Sequence, residues 1–242
     1  MISPPLSRHH PLSEVMKIIS TDTPLSEVIL ADPSIIPVIN RLGIALGTDD
    51  RSVAEVAGAH HLSADFLLTI INTFACRDYF PANALSRVDM PTMLSYLELT
   101  DRYYLHFQIP NIERHFNALV ASGPDNSSLT LLRRLFDKAK TDLMALIDSD
   151  MRSLFPTLRS LASGEGGECE TPAVDTAAAE AVEEMLADLL SMIVRNISGH
   201  YDPNLCYATV VAVDGLRSDL SKNNRIRNLI LRPAALALAS KR

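Results

Sequence analysis

The stretch DLMALIDSDMRSLFP, residues 142–156, contains the feature on which the predicted fold depends. At about 100° per residue, one helical face extending through it is apolar, and Asp150 lies at the centre of that face. A lone buried carboxylate costs several kcal/mol unless it is paired or coordinated. The stretch therefore predicts a core helix with a polar site on it. The apolar residues of this face are Leu132, Phe136, Ala139, Leu143, Leu146, Ile147 and Leu154.

Three similar amphipathic patterns accompany this one, so four long helices are predicted, at about 91–121, 128–161, 175–197 and 204–231. With mostly short connections, they favour an all-α four-helix bundle over about 91–242. Short helical patterns before them predict a small N-terminal domain at 13–75. Residues 1–12 are expected to be disordered, 76–90 to form a linker, and the Gly- and Glu-rich residues 162–175 to form a flexible connection.

The composition excludes several functional classes. Hydrophobic residues make up 47% of the 242, with 9 Gly and no Trp, which suits a helical globular core. The net charge of −7 argues against general binding of nucleic acid or anionic membranes, since both require a basic surface.

Neither a secretory signal nor a membrane-spanning apolar run is visible, so the cytoplasm is the expected location. The three cysteines, Cys76, Cys169 and Cys206, are widely spaced, which argues against a disulfide framework or a thiolate metal site.

Polar side chains also fall on the apolar faces of two other predicted helices. Asp101 shares a face with Leu97 and Tyr104 in the first helix, and Asn223 and Arg227 lie four residues apart at the centre of the last helix's stripe. One interpretation places these groups at the rim of the bundle or against water. The other is a polar site in the bundle core, where bundles build metal sites.

Four segments resemble the hemerythrin-like iron–sulfur-cluster repair family, whose members are also described as regulators of cell morphogenesis and nitric-oxide signalling. LSEVILADPSIIPVINRLGI (25–44) is similar to its small N-terminal domain, and YYLHFQIPNIERHFNAL (103–119) to its first bundle helix. DSDMRSLFPTL (148–158) resembles the acidic end of the second helix, and DLSKNNRIRNLILRPAALAL (219–238) the last helix. The similarity covers about residues 15–240.

The resemblance implies a non-haem di-iron centre held by His and bridging carboxylates, but this sequence departs from it. Asp150, and Asp101 in the first helix, keep carboxylates. A His is expected at Leu146, another at Asn223 and a Glu at Arg227. Further positions carry residues that cannot supply the expected ligands: Ala178, Val182, Ser122-Gly123, and, where many relatives have Cys, Gly47 and Thr48.

Two Asp, one Asn and one Arg cannot hold two iron ions, which need about four to six protein ligands. A fixed guanidinium also repels a metal cation. The sequence therefore predicts that no metal is bound, and that Asp101, Asp150, Asn223 and Arg227 are vestigial metal-site positions. We expect the Arg227 guanidinium to substitute for the metal charge and to pair with Asp150, with Asp101 and Asn223 as further partners.

Other candidate groups have ordinary interpretations. His106 and His115 lie on opposite faces of one helix, and His60 and His61 have no carboxylate partner near them in sequence. His200 lies in the break SGHYDP and is expected to be exposed. No nucleophile motif or phosphate-binding Gly loop is present. Arg225 and Arg232 lie off the apolar stripe of the last helix, as expected for a solvated face.

The predicted function is therefore a divergent, metal-free relative that acts through protein–protein interaction or regulation in a stress or iron–sulfur pathway, and not an enzyme. A homodimer is one expectation, because relatives with a complete ligand set are often dimeric. The alternative is a functional di-iron protein that repairs damaged iron–sulfur clusters. A helical DNA-binding regulator is a second alternative, but residues 13–74 hold three basic residues against eight acids.

Overall fold

The computed structural model describes residues 18–76, 78–80, 89–164 and 174–239, and all regular structure in these ranges is helical apart from one isolated bridge between Pro24 and Ser52. The all-α class predicted from the sequence is confirmed for them. Four predictions lie wholly or partly outside the described residues: the disordered residues 1–12, the linker at 76–90, the flexible connection at 162–175, and Cys169.

Residues 18–76, here called the N-terminal unit, contain four short helices: α1 (Leu25–Ala31), α2 (Ile36–Arg41), α3 (Val53–Ala59) and α4 (Ala64–Ala75), with a 3₁₀ turn at Pro33–Ile35. Ser52 and Glu55 form a capping box that begins α3, and the Ser63 hydroxyl accepts from the backbone N–H of Phe66 to begin α4. Gly43, with a φ of 76°, follows α2 in the left-handed region, where glycine commonly ends a helix.

The long helices follow as α5 (Met90–Tyr103), α6 (Ile109–Ser122), α7 (Ser127–Ser149), α8 (Phe155–Ser163), α9 (Thr176–Asn196), α10 (Pro203–Ile226) and α11 (Arg232–Ala239). Helices α6 and α9 each contact both α7 and α10, and one apolar cluster contains side chains from all four. These four helices therefore enclose one common apolar interior. The last helical segment extends to Ala239, beyond the predicted end near residue 231.

Three π-helical turns connect these helices without a break: Tyr104–Gln108 between α5 and α6, Asp150–Leu154 between α7 and α8, and Arg227–Leu231 between α10 and α11. In each, the backbone N–H just after the turn bonds to the carbonyl five residues earlier. The next residue is a proline in every case.

Proline explains the widened turns. It lacks an N–H, and its ring clashes with the carbonyl of the fourth residue before it, so one extra residue per turn relieves the clash. Pro110, Pro156 and Pro233 each stand six residues after the start of a π turn. Those starting residues are Tyr104, Asp150 and Arg227, and all three are buried.

The N-terminal unit packs directly on the long helices. Val38, Phe66 and Phe74 belong to the same apolar cluster as Met93 and Tyr96 of α5. The rings of Phe66 and Tyr96 meet edge to face with centroids 6.4 Å apart. Among the described residues, no helix combines the length and apolar character needed to cross a membrane.

Candidate functional site

The four polar residues predicted to share the core do lie together. Arg227 begins the third π turn and Asp150 the second, and Nη2 of Arg227 donates to Oδ2 of Asp150. Oδ1 of Asp101 lies 3.9 Å from the same nitrogen. The side chains of all three residues are at most 5% exposed. The predicted pairing of Arg227 with Asp150 is therefore present, with Asp101 as a more distant second carboxyl.

The side chain of Asn223, expected as a further partner of Arg227 and Asp150, bonds instead to two buried tyrosines and to a backbone carbonyl. Its amide nitrogen donates to the hydroxyl of Tyr104 at 2.6 Å and to the carbonyl of Asp219 at 2.9 Å. The hydroxyl of Tyr96 donates to the amide oxygen of Asn223 at 3.4 Å. Burial raises the pKa of Tyr96 to about 12 and that of Tyr104 well above its ordinary value, so both remain neutral.

Burial dominates the electrostatics of Asp101. It raises the pKa of Asp101 to about 8, although the positive charge of Arg227 opposes the shift and the charge of Asp150 adds to it. Burial also lowers the pKa of Arg227, but the facing carboxylates of Asp150 and Asp101 more than offset this, and the net shift is upward. Burial and the neighbouring Asp150 therefore favour the protonated form of Asp101, while the facing carboxylates favour the charged form of Arg227.

A second buried pair, Arg41 with Asp219, was not predicted from the sequence. Nη2 of Arg41, at the end of α2, donates to Oδ2 of Asp219 on α10, and each residue is 7% exposed. The Arg41 guanidinium also lies over the rings of Tyr103 and Tyr104, at 4.5 and 5.5 Å from their centroids. The sequence contained a signal for one partner of this pair, Asp219. Asp219, Asn223 and Arg227 recur every four residues, which places all three on one face.

Two basic side chains of α10, Lys222 and Arg225, also contact the N-terminal unit. Lys222 contacts the carboxylate of Asp32 at 3.5 Å and the hydroxyl of Ser34. Arg225 donates to the carbonyl of Thr73 at 2.9 Å and to that of Cys76 at 3.2 Å, where α4 ends. The predicted solvated face at Arg225 is therefore wrong, because its guanidinium binds backbone carbonyls at the end of α4, where a helix runs out of its own N–H donors.

The other positions at which the resemblance implies metal ligands lie in several parts of the structure. Leu146 is 7% exposed and faces the cluster, and Val182 belongs to the apolar core. Ser122 and Gly123 end α6 and contact the loop before α10, where the Ser122 hydroxyl accepts from the backbone N–H of Asp202 at 3.0 Å. They do not join the cluster. Ala178 lines an outer groove described below, and Gly47 and Thr48 lie in the N-terminal unit.

The donor set does not fit a di-iron centre. In the described part of the chain, no group of three or more His, Cys, Asp or Glu is placed to hold a metal ion. His106, His61 and His200 are exposed, and no described histidine lines the cavity at the cluster. The two carboxyls that remain there already face a guanidinium, which repels a metal cation.

The described cysteines show no activation. Cys76 is buried at the end of α4, and burial raises the pKa of its thiol, which disfavours the nucleophilic thiolate. Cys206 is half-buried, and burial raises the pKa of its thiol as well. Neither supports nucleophilic catalysis.

Two cavities lie at the cluster. The inner one has a volume of about 10 Å³ and is lined by aliphatic residues and by Thr100, Asp101, Tyr104, Asn223 and Arg227. An outer groove of about 320 Å³ runs between α7 and α9 and reaches Asp150. Leu146 lines both, so it lies between the groove and the inner cavity.

Comparison with models of known protein families gives no match, and no curated protein matches the chain. These comparisons identify no family for this chain.

Proposed function

We propose that this protein is a divergent, metal-free member of the hemerythrin-like iron–sulfur-cluster repair family, and that it acts by binding another protein. The observation that carries the proposal is the guanidinium of Arg227 between Asp150 and Asp101 in the shared interior of the long helices. In a di-iron bundle this is where carboxylates from facing helices meet the metal. Here a fixed organic cation supplies the positive charge.

The helical arrangement is compatible with the family's architecture. The ring of contacts among α6, α7, α9 and α10 supports a four-helix bundle, and the short helices of the N-terminal unit precede it as the resemblance implies. The ligand losses at Leu146, Asn223 and Arg227 argue against metal chemistry. A role in recognition needs none of them.

A surface groove supports recognition as the mode of action. It has a volume of about 600 Å³ and is bounded by α9, α10 and, in the N-terminal unit, the Pro33–Ile35 turn and the start of α2. Val194 and Val211 line it at 73% and 52% exposure, and Tyr207, one helical turn before Val211, is 72% exposed. Exposed apolar side chains grouped around a groove are typical of protein-binding surfaces.

Cross-linking of the tagged full-length protein in its own cells tests this function. The wild type and Leu131→Glu, a control at a 49% exposed apolar residue of α7, should give the same cross-linked protein. Val194→Glu together with Val211→Glu should lose it, because two charges would be buried on binding. Equal recovery by all three proteins would contradict the assignment of this surface.

The competing di-iron function makes a different prediction. If the purified protein restored the activity of an enzyme whose iron–sulfur cluster had been damaged by nitric oxide, and iron were required for it, the metal-free proposal would be wrong. We expect no restoration.

A further inference from the structure

Two of the residues that line the inner cavity at the cluster carry a buried polar atom with no protein partner. Oδ2 of Asp101 and Nη1 of Arg227 are both inaccessible to solvent and make no hydrogen bond with the described residues. Asp101 is 3% exposed and Arg227 is 4% exposed, and both line the same cavity of about 10 Å³. Buried polar atoms nearly always have a protein or water partner.

The size and polarity of the cavity restrict its occupant. A void of roughly 10–15 Å³ accommodates one water molecule, provided that polar partners surround it. Tyr104 and Asn223 line the same space, and the remaining wall is aliphatic apart from Thr100. Two metal ions or an organic ligand are too large.

We propose that this cavity is a binding site for one water molecule, which accepts a hydrogen bond from Nη1 of Arg227 and shares another with Oδ2 of Asp101. Such a water would complete the hydrogen bonding of the cluster without a metal. The same molecule exchanges with solvent past Leu146, because this side chain alone lines both the cavity and the outer groove. The inference is independent of the partner-binding function.

Relaxation dispersion of oxygen-17 and deuterium in water, which counts internal waters that outlive molecular tumbling, tests the site on the full-length protein. Asp101→Leu removes one hydrogen-bonding group and fills the space, while the Arg227–Asp150 pair remains. We expect this variant to lose one long-lived water. Thr209→Val, at a buried hydroxyl that bonds to the carbonyl of Leu205 away from the cavity, should keep the wild-type value. An unchanged count in Asp101→Leu would overturn the proposal.

A high-resolution crystal structure of the wild type keeps the proposal falsifiable if Asp101→Leu does not fold. It should show a density peak at about 2.7–3.2 Å from both Nη1 of Arg227 and Oδ2 of Asp101. A cavity without such a peak would overturn the site. The route has its own test, since Leu146→Ala should shorten the residence time of the water. An unchanged residence time would overturn the route.

Discussion

Helix α10 and the π turn that follows it each contribute one residue to a buried arginine–aspartate pair, and the two pairs differ in what they join. Arg227 of the π turn after α10 meets Asp150, so both partners belong to the long helices. Asp219 meets Arg41, so this pair joins the long helices to the N-terminal unit. The first sits beside a second carboxyl, Asp101, and a water-sized cavity. The second lies beneath two tyrosine rings and next to the large surface groove.

The difference shows that a buried charge can be maintained in two ways. At Arg227, helices that already pack together enclose the charge, and its removal would leave Asp150 without compensation deep in the core. At Asp219, docking of the N-terminal unit brings the charge and its partner together. We therefore expect the first pair to affect global stability most, and the second to affect attachment of the N-terminal unit.

The largest effect is expected for Arg227→Leu. Breaking a buried pair leaves a lone charge, and the free energy of unfolding should fall by about 3–5 kcal/mol. Chemical denaturation of full-length protein measures this. The double variant Arg227→Leu with Asp150→Leu should recover most of the loss, because no uncompensated charge remains. A double variant as unstable as the single one would contradict the pairing.

Arg41→Met should have a smaller effect, about 2 kcal/mol, because Asp219 borders the surface groove and water can reach part of the charge left behind. Amide hydrogen exchange should rise mainly in α1 to α4. Arg51→Met, at an exposed arginine of the same unit, is the matched control and should leave exchange unchanged. A uniform rise across α6 to α10 would mean that the two pairs do not differ as described.

The two pairs should also differ in how the free energy of unfolding depends on pH, because a second carboxyl, Asp101, lies beside the Arg227–Asp150 pair. The pKa of Asp101 is about 8 in the folded protein and 3.8 for the free side chain. A raised folded pKa means that the folded state binds the proton more tightly, so this contribution is complete at low pH and is lost as the pH rises through the folded pKa. Between pH ~5 and ~8 the free energy of unfolding should fall by on the order of 1 kcal/mol per pH unit.

Asp101→Asn removes this titration, so its pH slope should be flatter than that of the wild type in denaturation curves. A wild type and an Asn variant with the same slope would show that Asp101 is ionised at neutral pH in the folded state.

The smallest effect is expected for Tyr103→Leu. Its ring lies 4.5 Å from the Arg41 guanidinium and stacks on Phe107 with centroids 5.3 Å apart. Loss of a cation–π contact costs about 0.5–1 kcal/mol. In combination with Arg41→Met the loss should be less than additive, as measured in a double-mutant cycle. Fully additive losses would show that the Tyr103 ring does not interact with the Arg41 guanidinium.

The two pairs also show how far the sequence alone could go. Helical periodicity placed Asp101, Asp150, Asn223 and Arg227 on inward faces, and those faces meet as expected because regular helices fix the direction of each side chain. Arg41 could not be found in this way. Its burial depends on how the N-terminal unit docks, which no periodic pattern within one helix encodes.

The π turns were also missed, although a signal was present. Proline follows Tyr104, Asp150 and Arg227 at the same six-residue distance. In an uninterrupted helix, this proline would clash with a carbonyl in the preceding turn. The repeated spacing could have indicated three widened turns at the polar site.

The iron content of the full-length protein, expressed with added iron, tests the central claim most directly. The claim is that the Arg227 cation occupies the place of a metal in the helical interior. We expect far less than one iron per chain and no oxo-bridge absorption in the near ultraviolet. The variant Leu146→His, Asn223→His and Arg227→Glu restores the missing ligand types and is the matched comparison, in which iron should rise. About two irons per chain in the wild type would contradict the account.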